Sequence, residues 1–539
     1  MQPNRPVDVQ DLRILFTGED SAALKTSRRR MVDSMIRIAK TENGMVRGLP
    51  GNDPRVTSFK GIPFAAPPVG ENRWRAPQPC EDWEGVRDAF EFAPISVQDT
   101  PGLGTDVYCR EWHVDPEIPM SEDCLYLNVW TGAKSTDEKL PVLVWFFGGG
   151  FQWGYTPEME FNGERIARRG VVVVSVNYRL AALGFLAHPD LTKDQPDVPA
   201  NFGSLDQQAG LNWVVRNIAA FGGDPENITI AGQSAGGASV MAQLTCEKNY
   251  GKFQKAVLLS GMFHNPYVPD RFITPRTLKE AEKNGKEFVE FLGVNSIEEA
   301  RKLDAYFIRA KYAEYAQNHP RMSIVVDGQF CVDEPLKRFA RGEYAKVPIM
   351  AGNTTDEFTG YIQAKSAAEL EAQAKELFGD RAETFLSFEE VKKEANGGYG
   401  GINVIEGAVK AVFLENEKKK HPSGYYYRFR PDIPGWDNPG AFHSVDLWFF
   451  FETLGMCWRP FTGRHFDLAR QMCNYWTNFM KTGNPNGDDA DGTPMPVWEA
   501  YTADAKNEME FTSEGAMPAK EDSEFIGFMV EHIREKLTK

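Results

Sequence analysis

The stretch Gly232-Gln233-Ser234-Ala235-Gly236 decides how this chain is read. The five residues before it, Asn227-Ile228-Thr229-Ile230-Ala231, form a short β-branched run suited to a buried strand. After it, Ala238, Val240, Met241 and Leu244 recur at helical spacing through residue 245. A serine between strand and helix, with a glycine two residues to either side, is the G-x-S-x-G nucleophile elbow. In that elbow the serine takes a strained turn and projects its hydroxyl above the sheet edge, so its neighbours must be small.

Working outward, residues 140–147 and 171–178 are two fully apolar runs separated by a segment of helical length. Runs that do not alternate, interleaved with helices, predict a mainly parallel sheet covered on both faces. Residues 125–130, 256–260, 347–352 and 425–429 read as further strands, and residues 207–220 and 466–479 as helices. Residues 36–38 and 44–48 read as a strand and hairpin, and residues 59–70 as a proline-rich loop. Residues 270–345 and 365–420 are helical in pattern and predict large insertions. The stretch 94–121 is long, irregular and rich in Pro and Asp, the mark of a lid or binding loop. The expectation is a charged N-terminal extension over residues 1–35 and one interlocked α/β domain over residues 36–539.

Composition narrows the partners. With 60 Lys+Arg against 76 Asp+Glu, the net charge of −16 disfavours phosphate backbones and anionic membranes, so neither nucleic acid nor membrane is expected. The seven cysteines form no C-x-x-C pair or Cys/His cluster, which predicts no metal and no cofactor. Their odd number, and an N-terminus without an apolar signal core, lead us to expect reduced thiols and a cytoplasmic protein.

A serine hydroxyl needs a base, and the base an orienting carboxylate, in the chain order Ser, acid, His for this elbow. The strand 347–352 runs into Asp356-Glu357, a carboxylate pair at the expected sheet edge, either of which could serve. His443 follows the next strand on a Gly/Pro-flanked loop, ahead of a helix starting near Asp446. His465 and His532 fall in helical stretches, where a solvated face is expected. Gly148-Gly149-Gly150 closes the 140–147 strand and can bring backbone N–H groups to an oxyanion. Phe151, Trp153, Phe263, His264 and Trp448 are candidates for the substrate pocket, where rings would stack on an aromatic group.

Together with the elbow, several motifs resemble the type-B carboxylesterase family, which includes cholinesterases and bacterial para-nitrobenzyl esterases. They are Phe59-Lys60-Gly61-Ile62-Pro63-Phe64-Ala65, Ser121-Glu122-Asp123-Cys124-Leu125-Tyr126-Leu127-Asn128-Val129-Trp130, Gly148-Gly149-Gly150-Phe151 and Asn177-Tyr178-Arg179-Leu180. Phe221-Gly222-Gly223-Asp224-Pro225 and Tyr475-Trp476-Thr477-Asn478-Phe479 followed by Gly483-Asn484-Pro485-Asn486-Gly487 continue the likeness over residues 36–535.

The resemblance implies an α/β-hydrolase fold with Ser234 as nucleophile, His443 as base and Glu357, rather than Asp356, as acid. It implies an oxyanion hole from the N–H groups of Gly149, Gly150 and Ala235, and a small-molecule ester as substrate. In secreted relatives the Cys124 position is cross-linked to an upstream cysteine, but Val97 stands there in this chain. Trp112 is displaced by two residues from the spacing of the choline-binding indole, which disfavours choline esters. The expected activity is a serine carboxylesterase acting through an acyl-enzyme on small or aromatic esters. A feruloyl or other hydroxycinnamoyl esterase is the narrower alternative, with a lipase as a further rival. A non-catalytic esterase-like binding protein is the remote one.

Overall fold

The structure, a computed structural model, describes residues 35–262, 275–357, 364, 366–395, 405–422 and 424–537. The expected extension over residues 1–35 lies outside these except for Met35, and so do Phe263 and His264.

The apolar runs become the middle of an eleven-stranded sheet. In chain order its strands are β1 (Leu49–Pro50), β2 (Thr57–Pro63), β3 (Tyr126–Thr131), β4 (Leu140–Phe146), β5 (Val172–Val176) and β6 (Gly223–Gln233). Then come β7 (Lys255–Leu259), β8 (Ile349–Thr354), β9 (Gly424–Phe429), β10 (Glu508–Thr512) and β11 (Gly515–Ala519). The spatial order is β11-β10-β9-β8-β7-β6-β4-β5-β3-β2-β1. From β5 through β10 every pairing is parallel, and only the two edges carry antiparallel strands.

The absence of alternation along β4 has a direct cause. Leu143 and Trp145 enter one apolar layer and Val142, Val144 and Phe146 the other, so both faces are dry. Helices α1 (Phe202–Asn217), α2 (Ala235–Thr245), α3 (Glu406–Lys418) and α5 (Glu524–Leu537) cover one face through Leu211, Val240, Val409 and Val530. Helix α4 (Gly463–Thr482) covers the other through Met472, Trp476 and Phe479. This is the α/β-hydrolase arrangement. The two helical insertions are also present, with helices Leu278–Phe291 and Ala305–Tyr315 in the first and Ala367–Phe378 in the second.

Three expectations need correcting. Residues 59–63 are not loop but most of β2, where Phe59 and Ile62 are fully buried against β3 and a register shift lies between them. His465 does not face solvent: it is buried, its Nδ1 accepts from the Thr462 N–H at 2.9 Å, and its Nε2 lies 3.0 Å from the Asp432 carbonyl. His532 is likewise buried, against Phe378. Both helices turn an apolar stripe inward, and each histidine lies on it.

The elbow is held by close backbone approach. A Cβ on Gly236 would lie 2.0 Å from the Phe146 carbonyl oxygen, and one on Gly232 2.4 Å from the Gly236 carbonyl carbon. Neither neighbour is a flexible side chain that could move aside. Gly236→Ala is therefore expected to lower stability by about 1–3 kcal/mol, the usual cost of overpacking, read as a drop in the urea midpoint. A midpoint equal to wild type would show that α2 can shift off β4 freely.

Candidate active site

Ser234 has φ 56° and ψ −125°, outside the ordinary wells of an L-residue. Strain of this kind costs about 1–3 kcal/mol and persists only where the surroundings over-determine it. Here the Ser234 N–H donates to the Leu259 carbonyl at 2.9 Å, and its own carbonyl accepts from the Ala238 N–H at 2.9 Å. The serine is thus fastened to β7 on one side and α2 on the other.

Glu357 follows β8 and is buried. Its Oε1 accepts from the Ser260 hydroxyl at 2.7 Å, the Thr354 hydroxyl at 2.9 Å and the Thr354 N–H at 3.3 Å. Its Oε2 pairs with His443 Nδ1. The Gln233 side-chain amide lies 3.3 Å from the other ring nitrogen, Nε2. The His443 loop is fixed by the other member of the carboxylate pair. Asp356 Oδ2 accepts from the Ala441 N–H at 2.7 Å, and the Asp356 N–H donates to the Ala441 carbonyl at 3.1 Å.

After β4 the chain turns at Gly149 (φ 103°) and Gly150 (φ 61°). The Gly149 carbonyl accepts from the N–H groups of Gln152 at 2.9 Å and Trp153 at 3.2 Å. Among the described residues no protein acceptor takes the N–H of Gly149 or Gly150. The Ala235 N–H is the first of α2 and has no acceptor within its helix.

Ser234, His443, Gly149 and Gly150 line one cavity of about 220 Å³. Its walls include Tyr108, Trp112, Trp153, Phe161 and Leu447. Of the expected pocket residues that are described, Phe151, Trp153 and Trp448, only Trp153 lines it. Phe151 is turned away, edge-on to Phe185 at 5.1 Å. Trp448 is fully buried behind Trp112, with ring centroids 6.2 Å apart, and its Nε1 donates to Glu111 at 3.2 Å. The stretch 94–121 supplies Tyr108, Trp112 and His113 to the cavity wall, beside a short helix Val107–Glu111. The spacing of Trp112 to Cys124 therefore does not take its indole out of the cavity. Buried Glu111 anchors that wall, accepting from Arg459 Nε at 2.6 Å and Trp458 Nε1 at 3.2 Å. Gln233 was hidden as a variable position of the elbow motif, and the wall residues carry no motif at all.

The cavity also meets a buried acidic pair. Burial, then the neighbouring Glu158 carboxylate, holds the Glu160 carboxyl well above the usual range. No donor among the described residues reaches either oxygen of Glu160. Glu158 Oε1 accepts from the Tyr155 N–H at 2.8 Å and lies 3.3 Å from His113 Nε2. Burial disfavours the imidazolium, yet the Glu158 charge more than offsets it, and His113 sits above its ordinary value.

All seven thiols are free, and Cys124 and Val97 are both buried. No group of metal-ligating side chains, and no helix long and apolar enough to cross a membrane, occurs among the described residues. A larger open groove of about 900 Å³ between Asn52, Arg168 and Met456 contains none of the residues discussed above.

The sequence profile of the carboxylesterase family matches residues 36–402 and 387–528. The chain is 33% identical over 476 residues to the fumonisin B1 esterase of Sphingopyxis macrogoltabida, covering 83% of this chain and 82% of that one. It is 32% identical over 513 residues to the para-nitrobenzyl esterase of Bacillus subtilis, covering 90% and 97%. A solved para-nitrobenzyl esterase structure superposes with a TM-score of 0.73 at 29% identity, over 93% of this chain and 99% of that one.

Asp446 gives a test of the electrostatics around His443. Burial, and after it the Glu357 charge, pushes its carboxyl up to about 7, although the Tyr427 hydroxyl donates to Oδ2 at 2.8 Å. The fold keeps a proton that the unfolded chain releases near pH ~4. The stability this group contributes is therefore complete below that pH and is lost as pH rises towards 7. Asp446→Asn keeps an acceptor for Tyr427 and removes the titration. Its urea midpoint relative to wild type should climb between about pH 4 and about pH 8; a constant difference would mean that Asp446 ionises normally.

Proposed function

Given that the chain belongs to the carboxylesterase family, we propose that it hydrolyses carboxylic esters through an acyl-enzyme on Ser234, with His443 as base and Glu357 as orienting acid. The chain is a carboxylic ester hydrolase, and the proposal concerns which groups do the chemistry and on what. The observation that carries it is the meeting, in one cavity, of a strained elbow serine and a histidine whose Nδ1 is held by a buried carboxylate.

In this reading the Ser234 hydroxyl attacks the ester carbonyl carbon while His443 Nε2 takes its proton. The carbonyl oxygen becomes an oxyanion and is received by the N–H groups of Gly149, Gly150 and Ala235, each worth about 10²–10³-fold in rate. Glu357 steadies the imidazolium through Oε2; its Oε1 is already held by Ser260 and Thr354, so the carboxylate is ordered before substrate arrives. The C–O bond then breaks, and the alcohol leaves with the proton from His443. Water attacks the acyl-enzyme, again losing its proton to His443, and the acid departs as that proton returns to Ser234.

A cavity of about 220 Å³ suits a small acyl or aryl group rather than a long chain. The rings of Tyr108, Trp112 and Trp153 favour an aromatic one by offset stacking, which keeps a hydroxycinnamoyl ester as the narrower reading.

Ser234→Ala should lose about 10⁴-fold or more in kcat with an unchanged urea midpoint, and adding His443→Ala should cost little further, because the groups act as one unit. Residual turnover of a tenth of wild type in Ser234→Ala would remove the serine from this role. Across acetyl to long-chain ethyl esters plus methyl ferulate, kcat/KM should peak at short or aromatic acyl groups. A maximum at long chains would indicate a lipase.

A further inference from the structure

Among the described residues that line the cavity holding Ser234 and His443, Arg321 is the one permanently charged cation, in a chain whose net charge is −16. Its backbone is tied down on three sides. The Arg321 carbonyl accepts from Arg276 Nη1 at 3.0 Å. The next N–H, of Met322, donates to the Tyr312 hydroxyl at 2.6 Å, and the Met322 carbonyl accepts from Gln152 Nε2 at 2.8 Å. Gln152 belongs to the glycine turn that offers the N–H groups of Gly149 and Gly150, so Arg321 is fastened to that turn.

The guanidinium lies over the Trp153 ring, 5.4 Å from its centroid, and Trp153 lines the same cavity. This cation–π contact restrains the guanidinium beside the cavity, and its N–H fork suits a planar, bidentate acceptor. Other arginines nearby are already paired: Arg309 with Asp99, Arg459 with Glu111 and Asp437, Arg73 with Glu122. Among the described residues, no carboxylate is within ion-pair distance of Arg321. The acidic group that also lines the cavity, Glu158, lies 3.3 Å from His113 Nε2.

We propose that Arg321 is a specificity-determining residue that receives a carboxylate on the substrate, so that this esterase favours half-esters of small dicarboxylic acids over neutral esters of the same length. The inference rests on the reading of Ser234 as nucleophile. A carboxylate on an oriented guanidinium gains a charge-assisted, two-point contact, whereas an alkyl terminus gains nothing from it.

The test compares matched pairs, monoethyl succinate with ethyl butyrate and monoethyl glutarate with ethyl valerate, by titrating released acid. In wild type the kcat/KM ratio of half-ester to neutral ester should exceed one and fall as salt is raised, as a contact between charges must. In Arg321→Gln the ratio should drop by about tenfold or more, through KM rather than kcat, and lose its salt dependence. Arg321→Lys, which keeps charge but not the planar fork, should fall between the two. The same ratio in wild type and Arg321→Gln would overturn the proposal while leaving ester hydrolysis intact. Failure of wild type to hydrolyse either member of a pair, or full activity in Ser234→Ala, would instead bring down the underlying assignment of the nucleophile.

Discussion

The constraint on which the rest depends is the backbone of Ser234, forced into a positive φ between β6 and α2. It survives because nothing around it can relax. Gly236 lies against the Phe146 carbonyl with no room for a Cβ, Gly237 lies against Gly261, and the Ser234 N–H is bound to the Leu259 carbonyl. These contacts need β4, β6 and β7 to be parallel neighbours whose C-terminal ends are level. The parallel sheet is therefore more than a scaffold. Its register is what makes the strained turn affordable.

The same level edge gathers the other groups. The glycine turn follows β4, Ser234 follows β6, Ser260 follows β7, Glu357 follows β8 and the His443 loop follows β9, so groups far apart in the chain converge on one rim. Glu357 and Asp356 divide the work of two adjacent carboxylates. One faces the imidazole with three donors on its other oxygen, and the other secures the loop that carries the imidazole through the Ala441 N–H. Both positions are needed for geometry, although only one touches His443.

Around this rim, each buried carboxylate is stabilised in a different way. Glu111 is held by Arg459 and two indole N–H groups. Asp446 has the Tyr427 hydroxyl on one oxygen and no partner among the described residues on the other, which is why burial raises it. Glu160 has no donor among the described residues, and burial beside Glu158 raises it. A buried carboxylate with several donors stays charged, and one with few keeps its proton. At the cavity wall, Arg321 has no carboxylate within ion-pair distance among the described residues, although the protein as a whole is acidic.

What the sequence by itself determined is everything that local pattern encodes. The unbroken β-branched runs specify strands dry on both faces, because only a covered parallel sheet tolerates them. The glycine spacing around Ser234 marks the elbow, because only glycine permits that approach. The order of strand ends restricted the acid to Asp356 or Glu357 and pointed to His443. The pocket wall followed no such rule. Trp448 and Phe151 looked like wall residues but serve as packing, whereas Tyr108, Trp112 and Arg321, which nothing in their spacing distinguishes, form it. His465 and His532 are buried rather than solvated for a related reason, since which face of a helix turns inward near its end depends on what packs against it. A strand or an elbow is decided by residues adjacent in the chain. A cavity is decided by the directions of side chains brought together from distant segments, and that only the packed tertiary structure fixes.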